Sequence, residues 1–442
     1  MLSELQREAA VRAGDREWTA EQEQAIARRE GELFLDAAAG SGKTSVLVER
    51  FARSVLDDGL AVSQLLTITF TDKAAAEMRE RIRERLRELG AVEEARATEG
   101  AFISTIHGFC ARLLRAHALP AGIDPAFAVL DEARAAALAG RAVEGAIEEV
   151  AERGAAGSGL VASYGIWDLR ATTLSVYARL RSQGQRHPRL PELPPAPDPG
   201  PALAQAAAAG LEALGELGRV GDPSARVLEA IERLERVADL RADPVPWPGD
   251  LADLALPKGN GAALGTEACR RYGQALTALR EVCARHWAHG VRDRLDELLG
   301  AFDRRYETLK RQHASLDFED LELLSLELLR TRPGLLEGYR ERFRRVMVDE
   351  LQDTNAVQLE LIEAITGGRE NLFTVGDAQQ SIYAFRHADV ALFERRGERL
   401  ARTGARATLR MNFRSRPEIL EVVNRAFAGE LGERFVPLVA AR

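Results

Sequence analysis

Two short segments of this chain carry the residue types that phosphate chemistry needs. The first runs Ala37-Ala38-Ala39-Gly40-Ser41-Gly42-Lys43-Thr44-Ser45. Glycines allow backbone N–H groups to curl around phosphates, and a helix opening at Lys43 adds unpaired donors and partial positive charge. Lys43 would reach the β- and γ-phosphates of a nucleotide, and the Thr44 hydroxyl would ligate Mg²⁺. The match to G-x-x-x-x-G-K-[ST] is imperfect only at its first position, which is Ala37. The second segment is Val346-Met347-Val348-Asp349-Glu350. Asp349 would hold Mg²⁺ through water, and Glu350 would orient and deprotonate an attacking water. A single Asp-Glu pair after an apolar run is often a solvated strand end. Beside a phosphate loop it reads as a hydrolytic centre.

These residues need strands that end where they begin. Apolar runs predict strands over Leu33–Asp36, Leu65–Phe70, Phe102–Thr105, Arg345–Asp349, Leu372–Val375 and Ala407–Met411. Several end in a polar residue suited to chemistry, as open parallel sheets place ligands at their carboxyl ends. Between about Ala111 and His313 the pattern changes to Ala, Leu, Arg and Glu at helical spacing, with no convincing strand. Pro-rich loops at 187–201 and 243–250 interrupt it. The fold class is therefore α/β: a parallel-sheet domain, discontinuous in sequence, with a large all-helical insertion.

Composition narrows the partners. With 46% apolar and 29% charged residues the chain is globular, and no apolar run is long enough for a membrane span. The charged N-terminus lacks a signal peptide's apolar stretch, and Cys110, Cys269 and Cys283 have no metal-ligand spacing, so cytoplasmic is the simplest placement. A net charge of −8 excludes bulk attraction to nucleic acid and leaves only a local groove. Of 60 basic residues only four are Lys, at 43, 73, 258 and 310. Lys stands where a compact ammonium suits phosphate better than a planar fork.

An ordered series of further segments makes the chain resemble superfamily 1 helicases of the UvrD/Rep class, and within them the AddA- or RecB-like recombination helicases. The series is Trp18-Thr19-Ala20-Glu21-Gln22, the phosphate loop, Thr69-Phe70-Thr71-Asp72-Lys73-Ala74-Ala75-Ala76-Glu77-Met78, Ser104-Thr105-Ile106-His107-Gly108-Phe109-Cys110, VDELQDTN at 348–355, VGDAQQSIYAFRHAD at 375–389 and LRMNFRSRPEIL at 409–420. DFEDL at 317–321 resembles a segment that the AddA-like group carries before its acidic motif.

The resemblance implies a RecA-like P-loop NTPase sheet, with ATP and Mg²⁺ as cofactors. It implies residues 1–110 and 317–442 as two parts of an ATP-binding domain 1A, and 111–316 as a helical subdomain 1B. It makes Gln22 the adenine-reading glutamine, Gln380 the γ-phosphate sensor, and Arg414 a γ-phosphate contact. Single-stranded DNA would stack on Tyr383 and Phe385 beside Arg386, with Phe70 and His107 as further contacts. The implied partners are single-stranded DNA and its junctions with duplex, and an AddB-like or other recombination subunit; the implied direction is 3′–5′. Two positions depart from the family: Leu351 stands for a phenylalanine, and His387 for a glycine after the stacking arginine. The sequence ends soon after the NFRS-type segment, so the expectation is the N-terminal half of a helicase without the second motor domain 2A. The alternatives are a non-motor module or regulator that binds ATP and single-stranded DNA, and, more weakly, a metabolic P-loop kinase, which leaves the cluster at 383–386 unexplained.

Overall fold

A computed structural model describes residues 17–257, 262–432 and 435–441. By internal contacts the chain divides into two units: the described residues of Met1–Ala139, Ser175–His187 and Glu307–Arg442, and those of Gly140–Leu174 and Pro188–Tyr306.

The first unit is built on six strands: β1 (Leu33–Ala37), β2 (Leu65–Thr69), β3 (Phe102–Thr105), β4 (Arg345–Val348), β5 (Leu372–Gly376) and β6 (Arg406–Leu409). All pairings are parallel, in the order β3-β2-β4-β5-β1-β6. Register is set by pairs such as Leu33↔Phe373, Leu65↔Arg345 and Leu66↔Phe102. The expected parallel sheet and all six strands are present, within a residue or two at each end. The acidic strand β4, however, is not the neighbour of β1: β5 lies between them. Sequence spacing gives no lateral order, and only the ladder reveals it.

Alternation along the strands sends side chains to two cores. Leu33, Leu35, Met347, Phe373 and Val375 join one, packed under α2 (Lys43–Leu56) and α3 (Asp72–Glu88), the first helix, α1, being Ala20–Ala27. Phe34, Leu66, Ile68, Val346, Val348 and Leu372 join the other, packed under α4 (Ile106–Ala116), α6 (Phe318–Thr331), α7 (Ala356–Thr366) and α8 (Val390–Arg402). Leu351 is buried in this second core, so its departure from phenylalanine is a change of packing. On the first face, Glu49 of α2 and Arg85 of α3 form a buried ion pair at 2.7 Å.

The second unit is helical. Gly200–Leu217 and Ala225–Ala238 pack with the N-terminal part of α5 (Glu267–Gln312), around Tyr272, whose hydroxyl donates to the Leu254 carbonyl at 2.8 Å. One short strand lies within 111–313, where the pattern predicts none: Ala128–Val129 pairs in parallel with Ser315–Leu316 in the first unit. Two residues are too short to leave a period in the sequence.

Candidate functional site

β1 delivers the chain into the phosphate loop, and the loop is held open by glycines and by its neighbours. Gly40 and Gly42 have φ of 69° and 81°. A Cβ on Gly40 would sit 2.8 Å from Asn412 Nδ2, and one on Gly42 would sit 2.9 Å from Gln22 Nε2, so neither tolerates a side chain. Two amides fasten the loop's carbonyls: Asn412 Nδ2 donates to Ala39 O at 2.7 Å, and Gln22 Nε2 donates to Ser41 O at 3.0 Å. The Phe413 amide donates to Gly40 O at 2.9 Å. With its carbonyls tied back, the loop presents N–H groups on its other side. Ala38 and Ser41 are buried, Thr44 and Ser45 half-buried in the first turn of α2.

Gln22 also completes a capping box at the start of α1, its Oε1 accepting from the Thr19 amide at 3.1 Å. One hydrogen of Nε2 and one lone pair of Oε1 remain for a base.

The loop and the acidic strand meet directly. Lys43 Nζ lies 2.7 Å from Glu350 Oε2, although the two residues come from opposite ends of the chain. Gln352 Nε2 donates to the same oxygen at 2.8 Å, and Gln352 Oε1 accepts from the Asp377 amide at 3.0 Å. Asp377 Oδ2 in turn accepts from Gln380 Nε2 at 2.7 Å. A continuous polar chain therefore runs from Lys43 to Gln380, across β4 and β5. Glu350 adopts a left-handed backbone, φ 55° and ψ 44°, an unfavourable state for a residue with a Cβ.

Burial raises the Asp349 carboxyl to about 6, and the charge of Glu350 adds to this while Lys43 opposes it. Asp353 is likewise raised to about 6 by burial and by Glu350. Asp349 Oδ1 accepts from the Glu350 amide at 3.1 Å. A buried carboxylate so weakly compensated is suited to a cation. Among the described residues no cluster of three His, Cys, Asp or Glu is present, so Mg²⁺ would be held by Asp349 and Thr44 together with phosphate oxygens.

Arg414 is exposed next to the loop: a Cβ on Gly40 would lie 2.9 Å from Arg414 Cβ. Its amide and that of Ser415 both donate to Asn412 Oδ1 at 2.8 Å.

The aromatic candidates fall into two groups. Phe70, just past β2, packs on Tyr383 with ring centroids 4.4 Å apart, and Tyr383 on Phe385 at 5.7 Å. Phe385 is 74% exposed. The Arg386 side chain lies outside what the structure describes. His387 has φ 62°, a conformation that explains a family glycine at this position. His107 stands apart from this row, at the start of α4, with its ring 4.7 Å from Phe318 and its Nε2 2.8 Å from Glu322 Oε1.

Sequence patterns do not single out Asn412, Gln352, Asp377 or Glu322. The first three lie inside motif segments, but no spacing rule marks which polar residue of such a segment serves its neighbour. DFEDL gains a structural account: Asp317 caps α6, and Asp317 and Asp320 share buried Lys310 and Arg181 at 2.5 to 3.6 Å.

A parallel sheet with a glycine-rich loop at one strand end, and an Asp-Glu pair two strands away, defines a P-loop ATPase of the RecA-like kind. Comparison with known proteins makes this more particular: residues 18–400 match the family described as UvrD/REP helicase N-terminal domain, and the chain belongs to it. Its curated relatives bear the name of the first of the subunits, lettered A, of an ATP-dependent helicase/nuclease. That of Alkaliphilus metalliredigens is 32% identical, over 94% of this chain and 40% of its own length. That of Pelotomaculum thermopropionicum is 33% identical over 93% and 38%, and that of Staphylococcus aureus 29% over 94% and 40%. The chain thus spans about 40% of these relatives.

Proposed function

We propose that this chain supplies the nucleotide-binding half of an ATP-driven DNA translocase or helicase, moving 3′–5′ in DNA repair and recombination. The observation that carries this reading is the pairing of Lys43 with Glu350, on a sheet that also carries the Phe70–Tyr383–Phe385 row. The loop from Ala37 to Ser45 would bind phosphates through its N–H groups, and Lys43 would exchange Glu350 for the β- and γ-phosphates. Mg²⁺, held by Thr44 and Asp349, would neutralise phosphate charge. Glu350, released by Lys43 and steadied by Gln352, would accept the proton of the attacking water. Gln380, tied through Asp377 to Gln352, would sense the γ-phosphate, and Arg414 would contact it. Gln22 would read adenine with the polar capacity left to its amide.

Single-stranded DNA would stack on Phe70, Tyr383 and Phe385, with Arg386 and His107 as further contacts; flat rings accept any base. We read the helical stretch 111–316 as the 1B insertion of this motor class. A cytoplasmic setting, action at junctions of single and double strand, and an AddB-like partner belong to the same reading. Two assays test it. Tyr383→Ala should weaken oligo(dT) binding by about 1–3 kcal/mol; unchanged affinity removes the aromatic row from the strand path. ATP turnover stimulated by single-stranded DNA supports a motor, whereas DNA binding without stimulated turnover supports a non-motor module.

A further inference from the structure

Glu322 lies inside α6, with only 4% of its side chain exposed, yet three side chains from two other elements converge on it. Gln358 Nε2 donates to Oε1 at 2.6 Å, and Asn355 Nδ2 to Oε2 at 3.1 Å. The third is His107 Nε2, 2.8 Å from the same Oε1 that Gln358 uses. Asn355 and Gln358 are not independent of each other. Asn355 is the N-cap of α7, its Oδ1 accepting from the Gln358 amide at 2.8 Å while Gln358 Oε1 faces the Asn355 amide. Asn355 is also the end of the acidic segment, separated from Glu350 only by the Leu351–Asp353 turn and Thr354. One buried carboxylate therefore touches both the His107 ring, which is part-exposed, and the segment that holds Glu350.

We propose that Glu322 is a positioning residue that couples occupancy of the His107 contact by single-stranded DNA to the acidic motif of the ATP site. The inference rests on the DNA-motor reading above. Its physical basis is the shared acceptor. A buried carboxylate must keep its donors, so His107 and Gln358 compete for one oxygen. A base that draws the imidazole away leaves Oε1 to Gln358 alone. The resulting shift acts on the α7 cap and, through four residues, on Glu350. The two arrangements bind the two ligands differently, which is what linkage between sites requires.

The test is the ratio of nucleotide affinities with and without a saturating oligo(dT), read from the fluorescence of a labelled ATP on the 442-residue chain. A change in either affinity alone does not move this ratio. Wild type should show a ratio of about 5-fold or more, in the range of ordinary allosteric couplings. Glu322→Gln should bring it below roughly 2-fold. Gln358→Met, which fills similar volume but removes one competitor for Oε1, should lower it as well and decides the matter if the first variant does not fold. A wild-type ratio retained in both variants, or a ratio of one in wild type, overturns the coupling. A chain that binds no oligo(dT) at all overturns the strand reading first, and this inference with it.

Discussion

Replacing Asp349 by Asn should make the ligand-free protein more stable while destroying its metal site. The carboxyl is 8% exposed and titrates at about 6 instead of the ordinary 3.8, through burial and the neighbouring Glu350. In the unfolded chain it ionises near its ordinary value. Between roughly pH 4 and 6 the folded protein therefore holds a proton that the unfolded chain has shed, and stability falls as pH rises through that window. Above about 6 the loss is complete. At about 1.4 kcal/mol per pH unit, a gap of roughly two units amounts to ~3 kcal/mol. The amide keeps the Oδ1 that accepts from the Glu350 amide and removes the charge. Urea unfolding in chelator, followed by circular dichroism, should show Asp349→Asn more stable than wild type by ~2–3 kcal/mol at pH 7.5 and nearly equal at pH 4. Asp353, raised for the same reasons, leaves a residual pH slope in the variant. A variant less stable than wild type at pH 7.5, or a gain that does not depend on pH, would refute the electrostatic account of this site.

Glu350→Gln should retain nucleotide binding and lose turnover by about 10²-fold or more, since an amide cannot take a proton; single-turnover hydrolysis measures both. Asn412→Ala removes the amide that holds Ala39 O and caps the Arg414 turn, and should weaken nucleotide binding without touching the triphosphate directly, as titration calorimetry would show. Arg85→Ala leaves Glu49 buried at 1% exposure with only Arg53 as partner, and should cost about 3–5 kcal/mol in chemical denaturation. A smaller loss would mean that solvent reaches Glu49 when its partner is removed.

How far the sequence reaches is clear from individual residues. Strands such as Leu33–Ala37 and Leu372–Gly376 are legible because short apolar runs end at glycine or small polar residues. The phosphate loop is legible because its chemistry is local, with Gly40, Gly42, Lys43 and Thr44 adjacent or nearly so in the chain. The Lys43–Glu350 pair can be inferred only from the two segments taken together, since 307 positions separate them. Lateral order is not legible: nothing in β4 or β5 says that β5 stands between β4 and β1. Nor are the amide braces. Asn412 and Gln352 act through single contacts to the backbone or side chain of another segment, and such contacts leave no periodic trace. His107 shows the opposite limit. Its own motif suggests a strand contact, while its buried partner Glu322 directly follows a segment marked only by family resemblance.

The central claim is that the loop around Lys43 binds a nucleotide triphosphate, with Lys43 leaving Glu350 to do so. Titration calorimetry of Mg²⁺·ATP into wild type and Lys43→Ala tests this most directly. The account predicts saturable binding by wild type and a loss of affinity of at least about tenfold in the variant, the scale of one charge-assisted contact. Equal affinity in the two proteins would contradict it.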